Sequence, residues 1–181
     1  MALLEMIAAG KPLRLNAHDA TALFDSLPPY AENELRGRWR GQEVFTDHPL
    51  DGVLGKVAWY GKQFDDTDRV HPLLVRNSLG NVYPMNPRLI RMPMLTSPPP
   101  TPGILAAVSP HLMSVLRPVV GTPHHGARLE TVEYRGVRTV AMHYLDKPVT
   151  DVFRKIDDRT VLGLMDYRGM RRPYFFVLQR D

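Results

Sequence analysis

The chain has 181 residues and no cysteine, which excludes a disulfide framework, cysteine-ligated zinc and thiol catalysis. With 44% hydrophobic and 23% charged residues it has the composition of a soluble globular protein, too apolar for disorder and without a run long enough to span a bilayer. The net charge of +4 permits peripheral contact with anionic membrane, whereas the scattered arginines do not form the basic stack expected of a nucleic-acid binder.

The N-terminal residues place Leu3, Leu4, Ile7 and Ala8 at helical spacing up to Gly10. They lack the basic start of a signal peptide, so a cytoplasmic address is expected. A second helix is better marked: Asn16 as N-cap, Asp19 three residues on, Ala20, Leu23, Phe24 and Leu27 on one face, and Pro28-Pro29 as the stop. From Leu35 the apolar period changes to 2, predicting a half-buried strand over residues 37–45 in which Gly37, Trp39 and Gly41 share a face. After a break at residues 47–52, Val53, Val57 and Trp59 alternate with Lys56, Tyr60 and Lys62 as a second extended stretch. Residues 70–77 and 82–85 read as further strands about a turn at 78–81.

Proline is the compositional oddity: ten of the 17 fall between residues 84 and 123. Residues 92–116 carry no Asp, Glu, Lys or Arg, and their prolines prohibit one continuous helix. A short helix from Ser109-Pro110 would present Leu112, Met113 and Leu116 as an apolar stripe. The remainder returns to strands with short turns: a hairpin of 128–134 with 137–146, and another of 161–167 with 174–180. Between them, residues 148–157 are expected to form a turn or two of helix carrying Val152, Phe153 and Ile156. About eight short strands without crossover helices predict a sandwich or a closed antiparallel barrel, and closure removes the exposed edges of such a meander.

There is no phosphate-binding loop, dinucleotide fingerprint, zinc-protease helix or nucleophile elbow in the chain. Asp146 with Asp151 and the pair Asp157-Asp158 are weighed for acid–base chemistry, and an enzyme acting on a cavity-bound substrate would use Asp146, Asp151 or Asp166. Asp146 reads as a turn residue and Asp151 as a residue of a helix's first turn. No two histidines stand at a convincing zinc spacing. His143 shares a strand face with Thr139 and Ala141, so it faces a lumen if that face does and solvent otherwise. The most specific feature is Trp39 between Gly37 and Gly41. Same-side glycines clear space around an indole, either to shape a ligand cavity or simply to pack a core.

Leu35-Arg-Gly-Arg-Trp-Arg-Gly41, His48-Pro-Leu-Asp-Gly52, Trp59-Tyr-Gly-Lys-Gln-Phe64 and Val70-His-Pro-Leu-Leu74 together resemble the bacterial GXWXG protein family. Val132-Glu-Tyr-Arg-Gly136, Asp146-Lys-Pro-Val-Thr-Asp-Val-Phe153, Leu162-Gly-Leu-Met-Asp166 and Pro173-Tyr-Phe-Phe-Val-Leu178 resemble the uncharacterised companion domain that follows it. More distantly, the Gly-x-Trp start is similar to calycins, the lipocalin and fatty-acid-binding barrels. That resemblance implies a tryptophan closing the barrel floor beneath a basic side chain from a late strand, here Arg180. Nitrobindin-like barrels share the start and imply haem bound through a histidine, for which His143 or His71 would serve.

The expected organisation is an N-terminal helical segment (1–33), a first barrel half (34–90), a proline-rich insertion (91–123) and a second barrel half (124–181). The expected fold is a mainly β, calycin-like antiparallel barrel with short helices on its rim. The expected function is non-catalytic binding of a small lipophilic molecule, a fatty acid or phospholipid, without metal or other cofactor. Haem binding and a ligand-free interaction or homodimer module are the alternatives. Trp39, Gly37, Gly41, Trp59, Tyr60, His143, Tyr144, Phe176 and Arg180 are the expected ligand contacts, with Leu112, Met113 and Leu116 as a lid or portal.

Overall fold

The computed structural model describes residues 6, 12–89, 119–168 and 170–181. The first expected helix, apart from Met6, and the stripe of Leu112, Met113 and Leu116 lie outside the described residues.

Strand β1 (Leu13–Arg14) and helix α1 (Ala17–Ser26) precede β2 (Gly37–Phe45). The Asn16 side chain accepts the Asp19 amide at 2.8 Å, the N-cap its sequence announces. A four-residue helix α2 (Val53–Lys56) leads into β3 (Trp59–Phe64), β4 (Val70–Arg76) and β5 (Val82–Pro84). The second half is β6 (Ala127–Tyr134), β7 (Val137–Tyr144), β8 (Val149–Asp157), β9 (Thr160–Tyr167) and β10 (Tyr174–Arg180). Neighbours run β2-β10-β9-β8-β7-β6-β4-β3, and β3 returns to β2, so eight antiparallel strands close a barrel. β1 lies parallel to β2 outside the ring, and β5 adds to β4.

Alternate residues of the strands build two cores. One, with Trp39, Phe64, Val70, Leu129, Met142, Phe153, Val161 and Phe176, draws on all eight ring strands and is the lumen. The other packs Ala20 and Phe24 of α1 with Val44, Ala141, Val152, Leu162, Phe175 and Val177. α1 therefore covers the outer wall over β7–β10 and β2 and does not sit on the rim.

Two local expectations are corrected. Residues 148–157 are not helical but form β8, whose Val152 faces the outer core and Phe153 the lumen. A strand buried on both faces loses the apolar–polar alternation by which strands are read. Residues 53–56 are helical rather than extended, because the Glu43 carboxylate accepts the amides of Gly52, Leu54 and Gly55 at 3.1–3.2 Å and so holds the turn.

β7 and β8 pair only over Ala141–Val152, Met142–Asp151 and His143–Thr150. Beyond that the segment after α1 fills the gap. Val140 and Lys155 donate their amides to the carbonyls of Tyr30 and Pro28, and the Tyr30 amide donates to Thr139 Oγ1 at 3.0 Å. Thr139 Oγ1 in turn donates to the Phe153 carbonyl at 2.7 Å, so one hydroxyl replaces missing ladder bonds.

Candidate functional site

Trp39 is fully buried and closes one end of the lumen. Its Nε1 donates to the Arg36 carbonyl at 3.0 Å, Tyr30 meets it edge to face at 6.1 Å, and the Arg180 guanidinium lies 4.8 Å from its ring centroid. Arg180 also donates to the Glu34 carbonyl. The glycines of the signature do not serve this indole. Gly37 adopts φ +83° with open space about it. Gly41 is flat against the other tryptophan: a Cβ there would overlap the Trp59 ring.

Trp59 reaches the lumen because β3 shifts register against β4 between Trp59 and Gln63. Gly61, at φ +153°, has no room for a Cβ, which would overlap the Trp39 carbonyl oxygen. From Trp59 a run of edge-to-face rings crosses the interior: Trp59–Phe176 at 5.8 Å, Phe176–Phe153 at 6.2 Å and Phe153–Phe64 at 6.0 Å.

Into this aromatic interior β3 and β8 each send a charge. Lys62 Nζ lies 2.7 Å from Asp151 Oδ2, with side chains 3% and 1% exposed. The ammonium also donates to the Pro72 carbonyl at 3.0 Å and stands 5.0–5.9 Å from the ring centroids of Phe176, Tyr144 and Trp59. Burial pushes the Asp151 carboxyl above its ordinary range, against the opposing pull of Lys62. Burial and the Asp151 charge drive the Tyr144 phenol well above its ordinary range, so it stays protonated. Asp151 Oδ1 and Trp59 Nε1 are buried and have no hydrogen-bond partner. Lys62 was not among the expected site residues, and Asp151 was read as a residue of a helix's first turn. What could have found the pair is the period of β3, which turns Lys62 to the same side as Phe64.

The remaining expected contacts divide. Phe176 and Tyr144 line the lumen. Tyr60 is on the outside, where its hydroxyl donates to Asp181 at 2.6 Å beneath the guanidinium groups of Arg38 and Arg76. His143 shares the outer face with Ala141, and its Nδ1 is 3.0 Å from Thr150 Oγ1. Of the other carboxylates, Asp146 pairs with Arg88 at 2.8 Å and Asp166 accepts the Tyr134 hydroxyl at 2.9 Å, both exposed. At the end opposite Trp39, Tyr174 donates to Glu43 at 2.5 Å beside His48, closing the lumen with Leu50 and Leu54.

A closed eight-stranded barrel enclosing an apposed lysine and aspartate among aromatic rings defines the class of protein. Residues 22–80 match the model of the GXWXG protein family and residues 125–180 match a domain of unknown function, DUF4334. The chain thus carries a segment similar to the GXWXG proteins and a C-terminal segment similar to DUF4334, and the two close one barrel. A crystal structure described as a protein from Thermomonospora curvata is similar over 99% of this chain and 96% of its own, at 29% identity and a TM-score of 0.72. No curated protein matches the chain. Among the described residues no helix is long and apolar enough to cross a membrane.

Proposed function

We propose that the barrel binds, without transforming it, a small lipophilic molecule of fatty-acid or phospholipid type. Its polar group meets Lys62 and Asp151, and its apolar body lies along the rings of Trp59, Tyr144, Phe153 and Phe176. One observation carries this reading: a buried ion pair stands in an aromatic lumen beside two polar atoms, Asp151 Oδ1 and Trp59 Nε1, that have no partner in the protein. Buried polar atoms are ordinarily satisfied, and a ligand head group bearing both donor and acceptor would satisfy these. The calycin likeness, with Arg180 over Trp39, supports the same use of the fold. A cytoplasmic setting with peripheral contact at anionic membrane belongs to the proposal, resting on the sequence features given above.

The test is native mass spectrometry of protein expressed in bacteria, followed by solvent extraction and lipid analysis. A co-purified lipid is expected in the wild type and is lost when Lys62→Met and Asp151→Leu are combined, a pair chosen to keep the interior filled. Empty protein that also fails to bind a fluorescent fatty acid or phosphatidylglycerol vesicles overturns the reading.

A catalytic reading draws on the raised Asp151 carboxyl, which beside Lys62 is placed for proton transfer to an enclosed substrate. It predicts that the bound mass changes with time in the same spectra. Haem is not favoured, since His143 and His71 both face outward from the lumen.

A further inference from the structure

On the outer wall, away from the lumen, Asp65 follows β3, His71 lies in β4 and His125 precedes β6. Their donor atoms all fall within 4.8 Å of one another. We propose that these three residues bind one divalent transition-metal ion of the zinc or cobalt type, which clips the barrel at its weakest seam.

The geometry supports an ion over a simple polar cluster. His125 Nε2 is 3.0 Å and His71 Nε2 4.0 Å from the same oxygen, Asp65 Oδ2, and the two imidazole centroids lie 4.3 Å apart with the rings tilted by 32°. For metal–donor bonds of about 2.1 Å a tetrahedral ion needs donors about 3.4 Å apart, so the two Asp65–histidine separations change by roughly half an ångström and the widest donor separation, within 4.8 Å, closes by up to about 1.4 Å. The other Asp65 oxygen accepts Gln63 Nε2 at 2.7 Å, the kind of outer contact that orients a ligating carboxylate. His71 is the residue least at home without a ligand. Its side chain is 9% exposed, and its Nε2, 4.0 Å from Asp65 Oδ2, is too far away for a hydrogen bond. His125 and Asp65 are 28% and 33% exposed, which leaves an entry path and room for water as a further ligand. Two imidazoles and one carboxylate, with no thiolate, suit zinc, cobalt, nickel or iron(II) rather than calcium or magnesium.

The location gives the ion a task. β4 and β6 share one register pair, Val70 with Ala127, and the seam is otherwise bridged by the Gly126 and Leu129 amides bonding the Val70 and Thr67 carbonyls. His71 is next to Val70, and His125 stands two residues before Ala127, so a shared ion would bind the two sides together.

Full-length protein, stripped with a chelator, is titrated with Co²⁺ by visible absorption and with Zn²⁺ by thermal unfolding. One ion per chain is expected, with d–d bands and a melting temperature that rises with Zn²⁺. His125→Ala and Asp65→Asn, at partly exposed side chains, should keep the metal-free melting temperature but weaken Co²⁺ binding at least about tenfold. His18→Ala, on the surface of α1, should bind as the wild type does. Failure of the wild type to bind Co²⁺ stoichiometrically, or undiminished binding in both site variants, overturns the proposal. Neither result bears on the lumen.

Discussion

Lys62 on β3 and Asp151 on β8 meet at 2.7 Å inside the barrel, across the lumen and out of reach of solvent. A buried pair of this kind contributes little net stability against an apolar replacement, but losing one partner strands the other charge. Lys62→Met alone and Asp151→Leu alone should each cost about 3–5 kcal/mol. The double variant should cost much less than the sum. Urea denaturation of the four proteins in a double-mutant cycle measures the coupling, and additive single losses would show that the two charges do not depend on each other.

Gly41 and Gly61 are needed for different reasons. Gly41→Ala would press a methyl into the Trp59 ring, and overpacking of a rigid neighbour costs about 1–3 kcal/mol. Gly61→Ala should be the worse variant, since it meets the Trp39 main chain, which cannot rotate aside. Gly37→Ala meets no atom and should cost only the strain of its positive φ, about 1 kcal/mol. Combining Gly41→Ala with Trp59→Leu should recover part of the first loss, read from denaturation midpoints.

Thr139→Val keeps the shape of the side chain while removing the acceptor of the buried Tyr30 amide and the donor to the Phe153 carbonyl. Leaving such groups unsatisfied costs about 1–3 kcal/mol each. Hydrogen exchange offers the sharper measurement: protection should fall at Tyr30 and Val140, where the post-helical segment bridges β7 and β8, and persist in β9 and β10.

His48 is buried, and its Nδ1 accepts the Leu50 amide at 3.1 Å. Burial lowers its pKa below 6.5; the Arg172 charge adds to this, while Asp51 and the Arg172 main chain oppose it. The unfolded chain therefore binds the proton more readily. The His48 contribution to stability is fully present above about pH 6.5 and declines as pH falls through the lowered folded value. His48→Asn, which keeps an acceptor near the same place, should flatten this part of the stability–pH curve. A slope unchanged from the wild type would assign the titration elsewhere.

The hairpin of β6 with β7 and the pairing of β9 with β10 were the most legible parts of the molecule. The turn at Arg135-Gly136 is local chemistry, and alternation from Leu129 to Met142 survives because one side of that hairpin is wetter than the other. β8 was illegible for the opposite reason. Val152 and Phe153 are adjacent and both buried, one under α1 and one in the lumen, so no alternation marks the strand. Arg180 was located over Trp39 through a family likeness, not through spacing. Alternation sets Trp59 opposite Tyr60, as found, but it also set Lys62 with Tyr60, and the shift in β3 brings Lys62 to the side of Trp59 instead.

The sequence by itself determined a cysteine-free, mainly β chain, the cap and stop of α1, and a tryptophan between glycines that had to lie close to other elements. Those properties depend on neighbours in the chain, so periodicity and turn chemistry carry them. The tertiary structure alone decided that the second glycine seats Trp59 and that Lys62 faces Asp151. It also decided that Asp65, His71 and His125 converge on one outer seam. Each of these depends on barrel closure and on the register between strands remote in sequence, which no local pattern encodes.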